Sequence, residues 1–280
     1  MSNGNPMRAA DIPPLPSPAY DSHAHLADKV FDGIREDVII RAGKTGLAGI
    51  IVPGDTLNAS HSALKLTRRH PDFLRAAVGI HPYDARYYSD ATEGALASLA
   101  SDPLVVAIGE IGLDHRKDGS APSPHDVQRE VFLRQMALAK KLNLPVIIHC
   151  RNAYPELIDI LSGIHEQAGD TSGVIHCFSG KKEDALRLIA LGYHIGFTGT
   201  LTFTNARDLR ETAGALPLER ILIETDSPYL TPHPFRGVRP NEPMFVRYVA
   251  ETLSECRKLP LEVICHITHQ NTRQLFKLTH

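Results

Sequence analysis

The octapeptide LPVIIHCR, residues 144–151, is apolar, β-branched and too short for a core helix, so it reads as a buried strand with a histidine near its end. GVIHCFS (173–179) repeats the arrangement, and ILIETDSPYL (221–230) carries Asp226 at the corresponding place. Five further runs read as strands: AYDSHAHL (19–26), LAGIIVPG (47–54), LRAAVGIH (74–81), LVVAIGEIGLD (104–114) and HIGFTG (194–199). Segments with helical spacing lie between them, as in VQREVFLRQMALAKKL (127–142) and EDALRLIAL (183–191). Such alternation predicts parallel strands joined by helical crossovers. With His25, Pro53, His81, Glu110, His149, His176, Thr198 and Asp226 as markers, successive strand ends recur every 22 to 39 residues. Eight strands at that spacing fit an α/β fold of the (β/α)8 TIM-barrel type, which takes about 250 residues. An open doubly wound sheet is the rival, but no glycine-rich phosphate turn follows the first strand.

Thirty basic residues against 32 acidic ones, with a pI near 6.7, leave no global positive field to hold nucleic acid. The cysteines Cys150, Cys177, Cys256 and Cys265 show neither metal spacing nor a disulfide framework, which points to a reducing, cytoplasmic compartment. The most apolar stretch, LVVAIGEIGL, is interrupted by Glu110 and falls short of the roughly 20 residues that span a bilayer. Residues 1–18 lack the apolar run of a secretory signal, and we expect a flexible Pro-rich tail before one barrel domain over 19–280.

His23 and His25 in DSHAHL share one strand face, since side chains alternate. Alone, the pair is as readily a chance feature of a strand end. Glu110, however, interrupts an apolar strand, where an uncompensated carboxylate is costly. His149, His176 and Asp226 end other strands in the same way, so six candidates from five strands converge on one mouth of a closed barrel. Imidazole and carboxylate without thiolate suit Zn²⁺, Mn²⁺ or Fe²⁺. Six ligands exceed what one catalytic ion takes, and two ions bridged by Glu110 is the economical arrangement. His23, His25 and Asp226 complete one site in this reading, and His149 with His176 the other. Cys150 and Cys177 have the opposite strand parity and should face the helices. Asp21, on the face of His23 but deeper, is expected to support the ligands rather than join them, as is Glu224.

With these motifs laid out, the chain resembles the TatD family of metal-dependent deoxyribonucleases, a branch of the amidohydrolase-like barrels. The resemblance rests on DSHAHL, GIHP, GEIGLD, PVIIHCRNA, HCFSG, GYHIGFTGTLTF, ILIETDSPYL and RGVRPNEP, in order from residue 21 to 243, and ITHQNTRQLF near the C-terminus is also similar. It implies divalent ions (Mg²⁺, Mn²⁺ or Zn²⁺) on the six positions above and hydrolysis of phosphodiester bonds in DNA from single-stranded or frayed 3′ ends. Glu110 and Asp226 would carry the catalysis, the latter accepting the water's proton. An amide or ester hydrolase, such as an aminoacyl-tRNA deacylase, is the alternative on the same metals, and a non-catalytic metal module is a third reading. Tyr83, Asn152 and His115 depart from the commonest family pattern and bear on substrate preference.

Arg116, Lys117, Arg151, Lys181, Lys182, Arg236 and Arg239 all follow strands on the metal-bearing side, where they could form a local phosphate funnel. His81 is expected to contact a substrate phosphate or to orient a ligand. Phe178, Phe203, Tyr229 and Phe235 are candidates to stack unpaired bases. Nothing implies a membrane or a stable protein partner.

Overall fold

In the computed structural model, residues 12–116, 122–168 and 172–278 are described. They contain the strands β1 (Ala19–Asp21), β2 (Leu47–Pro53), β3 (Leu74–Val78), β4 (Val105–Asp114), β5 (Val146–Arg151), β6 (Gly173–Ile175), β7 (Tyr193–Phe197) and β8 (Ile221–Ile223). All neighbours pair in parallel, in the order β1 to β8. The last strand returns to the first. Ser22 N donates to Ile223 O at 3.1 Å, Asp226 N to His23 O at 2.9 Å and His25 N to Ser227 O at 2.7 Å. The chain therefore forms the expected (β/α)8 barrel.

Helices α1 (Arg35–Lys44), α2 (Leu57–Thr67), α3 (Asp90–Leu99), α4 (His125–Leu142), α5 (Tyr154–Ala168), α6 (Lys182–Ala190), α7 (Arg207–Ala215) and α8 (Val246–Arg257) follow the successive strands, and α9 (Leu261–Leu275) ends the fold. In α4, Val131, Phe132, Gln135, Met136 and Ala139 recur at helical spacing and are buried. Asn143, in the left-handed conformation at φ 54°, ends that helix. Two of its buried glutamines fasten strand ends. Gln135 accepts from Ile80 N at 2.8 Å and donates to Ile80 O at 3.0 Å, while Gln128 accepts from Asp114 N at 2.8 Å. Polar groups in the core are thus satisfied by backbone whose position matters to the mouth.

Strand alternation sorts the core into two clusters. Ile50, Val52, Ala76, Val78, Val146, Ile148, Ile221 and Ile223 pack outward against the helices. Ile51, Ala77, Ala107, Ile147, Val174 and Leu222 form the inner cluster, joined by Leu275, Phe276 and Leu278 from the C-terminus. Each such side chain contributes roughly 1.5–3 kcal/mol when fully buried. His149, His176 and Glu224 share parity with Ile147, Val174 and Leu222, which sets them above this inner layer.

The structure corrects three expectations. From residue 12 onward the expected tail is seated: Ile12 and Leu15 are buried, and Leu15 N donates to Thr45 O at 2.9 Å. Ile12 joins Phe235, Met244, Phe245 and Tyr248 in a small cluster of their own, while Leu15 packs into the outer cluster of the barrel. Several strands are also shorter than their apolar runs; β8 stops at Ile223, and Asp226 adopts φ 55°, outside strand geometry. Cys177 is the third case. The chain has left β6 before it, at φ 47°, so strand parity no longer governs it, and its Sγ lies 3.5 Å from Thr198 Oγ1. Cys150, still within β5, is buried in the outer cluster as expected. Among the described residues no helix is long and apolar enough to cross a membrane.

Candidate metal centre

Above the inner layer, Glu110 stands at the middle of a ring of histidines. Its Oε2 lies 3.3 Å from His23 Nε2 and 3.4 Å from His25 Nε2. Its Oε1 lies 2.8 Å from His176 Nε2, 3.1 Å from His149 Nδ1 and 3.5 Å from His81 Nε2. Asp226 Oδ1 approaches His23 and His25 at 3.8 and 3.6 Å. Three overlapping groups have ligand atoms within 4.8 Å of one another: His23, His176 and Asp226; His23, His25 and Glu110; His81, Glu110 and His149. All six residues expected as ligands are brought together, and His81 joins them.

The donor set suits cations. His23 Nε2 and His25 Nε2 face each other at 3.1 Å, and His176 Nε2 faces His149 Nδ1 at 3.4 Å. Two lone pairs cannot approach so closely without a proton or a cation between them. With protons alone, burial opposes ionisation of Glu110 but is outweighed by His176 and His81 and by hydrogen bonds from His149 and His176, leaving its carboxyl well below the usual range. Burial works against the charge on His176 too, yet Glu110 and Glu224 raise it well above an ordinary histidine. His81, held down by burial and by His149, falls to about 3. Burial raises Asp226, with the histidines pulling the other way. Neighbouring groups pushed apart in this way mark a functional centre.

A second layer orients the first. Glu224 Oε2 accepts from Ser22 Oγ at 3.0 Å and Oε1 from Cys177 N at 2.6 Å, and Oε1 lies 3.6 Å from His176 Nδ1. Asp21 accepts from His23 N at 3.2 Å and Thr225 N at 3.0 Å, tying β1 to the end of β8. Burial raises its carboxyl to about 8. The sequence reading missed Asp114, which pairs with His149 Nε2 at 2.8 Å while the other ring nitrogen faces Glu110. Its signal was a second carboxylate on β4, four residues beyond Glu110 in GEIGLD.

Comparison with known proteins agrees with this geometry. The family model for TatD-related DNases matches residues 20–277. The chain belongs to that family. It is 42% identical to an uncharacterized metal-dependent hydrolase, YabD of Bacillus subtilis (strain 168), over 92% of this chain and 99% of that protein. It is 34% identical to the 3′-5′ ssDNA/RNA exonuclease TatD of Pectobacterium atrosepticum, over 92% of this chain and 99% of that one. The crystal structure of YjjV, a TatD homolog from Escherichia coli K12, superposes with a TM-score of 0.85 at 34% identity, covering 93% of this chain and 98% of that one. The protein is accordingly an enzyme, a metal-dependent hydrolase of ester bonds.

Tyr83, Asn152 and His115, expected to bear on substrate preference, are tied to the segments that follow β4 and β5. Tyr83 Oη accepts from Arg116 Nε and, at 3.3 Å, from Arg151 Nη1, and the Arg116 guanidinium lies 4.6 Å over the Tyr83 ring. Asn152 donates to His115 O at 3.2 Å, and the His115 ring stacks on His125 at 3.7 Å. Arg151 also reaches Asp114, at 3.5 Å. Lys181 and Lys182 are exposed at the start of α6. Arg236 and Arg239 donate within their own loop, to Thr231 O and Thr231 Oγ1, each at 3.0 Å. Lys117 lies outside the described residues. Of the aromatic candidates, Phe178 and Phe235 are buried in the core and cannot meet a base, whereas Phe203 is half-buried and Tyr229 is 54% exposed.

Proposed function

We propose that this hydrolase cleaves phosphodiester bonds in DNA, removing nucleotides from single-stranded or frayed 3′ ends, with two divalent ions that His23, His25, Glu110, His149, His176 and Asp226 would hold. One observation carries the reading: the two oxygens of Glu110 face separate donor sets, His23 with His25 on one side and His149, His176 and His81 on the other. Relatives named as 3′-5′ ssDNA/RNA exonucleases support the choice of bond. The ions would supply an activated water and positive charge against the leaving oxygen. Asp226, whose Oδ1 stands 3.8 and 3.6 Å from His23 and His25, would take the proton that water gives up. Asp114 fixes the ring of His149, and Glu224 sets a carboxylate 3.6 Å from His176 Nδ1. Arg151 and Lys181 provide positive charge for phosphates at the rim. The four free cysteines support a cytoplasmic location, and we take the barrel, with residues 12–18 seated on it, as one hydrolase domain acting without a stable protein partner.

The test is digestion of a 3′-labelled single strand with Mg²⁺, Mn²⁺ and Zn²⁺ in turn, beside release of amino acid from charged tRNA. Nucleotide release should fall by at least about 100-fold in Asp226→Asn with little change in melting temperature. Release of amino acid without nucleotides, or near-native nuclease activity in that variant, would sink the proposal.

A further inference from the structure

Beside the metal centre lies a groove of about 1080 Å³ that none of the ligands lines. It is built from the segments following β5, β6 and β7, with Asn152 three residues beyond His149 and Ser179 three beyond His176. A hydrogen-bonded path joins it to the centre: Thr200, in its wall, shares a 2.9 Å contact with Thr198, whose Oγ1 is 3.5 Å from the Sγ of Cys177, the neighbour of His176.

Lys181 and Lys182 line the groove beside Glu183 and Asp184 of the same helix start, together with Phe203 and the amides of Asn152 and Asn205. The Phe203 ring lines the groove and has the Arg236 guanidinium 3.8 Å over one of its faces. Asp208 and Glu211, from α7, form an acidic wall. A flat ring, amide donors and acceptors, and a flanking cation match a nucleoside. The volume slightly exceeds the usual range for small-molecule sites, about 300–1,000 Å³, which leaves room for a base and its sugar. The carboxylates repel any further phosphate and can accept hydrogen bonds from sugar hydroxyls.

We infer that this groove seats the terminal nucleoside of an unpaired strand, its base against Phe203 and its free hydroxyl at the acidic wall, so that a strand ending in phosphate is rejected. The inference rests on the phosphodiester reading above. Its test compares wild type, Phe203→Ala, Phe203→Tyr and the double variant Asp208→Asn/Glu211→Gln on one single-stranded oligonucleotide ending in either a 3′-hydroxyl or a 3′-phosphate. Bis(p-nitrophenyl) phosphate reports the metal centre separately. Phe203→Ala should raise KM for the hydroxyl-ended strand at least about fivefold, and Phe203→Tyr should restore it. Wild type should favour the hydroxyl end by about tenfold or more, and the double variant should narrow that preference. An unchanged KM in Phe203→Ala, or equal cleavage of both ends by wild type, overturns the inference and leaves the nuclease reading standing. Wild type that hydrolyses the aryl diester but neither oligonucleotide removes both.

Discussion

Asp114 carries more than its single hydrogen bond suggests. By accepting from His149 Nε2 it leaves Nδ1 to face Glu110, and so decides which ring nitrogen is offered to an ion. Removing the acceptor in Asp114→Ala should weaken metal binding by about 10–100-fold, as read by titration of the chelated protein. Asp114→Asn, which can still accept, should lose less, and an equal loss in both variants would mean that the charge matters rather than the ring's orientation. At this scale the sequence was most readable where a polar residue broke an apolar strand, as Glu110, His149 and Asp226 do. It was least readable for the supporting layer. Asp21 and Glu224 could be read as supports from their strand parity with the ligands, but Asp114 looks like any other strand-end acid until the fold shows which imidazole it meets.

The strands set tolerances that composition does not reveal. Gly112 in β4 has φ 145°, and a Cβ there would lie 1.9 Å from His149 O on β5. Gly112→Ala should therefore destabilise the barrel by about 3 kcal/mol or more in urea unfolding and disturb His149 as well. On β7, His194 is buried with no partner for Nδ1, and burial together with Arg220 lowers it to about 4. Unfolded, the same ring titrates near 6.5. Between those values only the unfolded chain binds the proton, so stability falls as the pH drops from about 6.5 to about 4. His194→Gln should remove up to roughly 3 kcal/mol of that acid sensitivity, measured as the difference between unfolding free energies at pH 7 and pH 4.5. An unchanged pH slope would show that His194 is not its source. Alternating apolar runs and helical spacing made the order of elements legible. Strand ends were not, because backbone at Asp226 and Cys177 leaves the pleat to aim side chains, and apolarity carries no mark of that turn.

The barrel brings its histidines and carboxylates from separate strands to one cluster, where a bound cation adds binding energy that the unfolded chain cannot match. Chelation should abolish hydrolysis and also lower the melting temperature by about 5 °C, on the scale of a ligand held at about a hundred times its dissociation constant. Restoring Mn²⁺ or Zn²⁺ should recover both, and a melting temperature indifferent to chelator would argue against resident ions. Closure of the barrel was foreseeable from eight recurring strands, but the seating of Ile12 and Leu15 was not, since a Pro-rich stretch with two apolar residues reads as a tail until its receiving surface is known.

That closure brings Ser22 beside Glu224, 202 residues away, in the same step that sets His23 and His25 against Asp226. A chain emerging from the ribosome presents the histidine pair first and its carboxylate partner among the last strands. Until β8 docks, any nascent form holds an incomplete donor set with its Asp226 side missing.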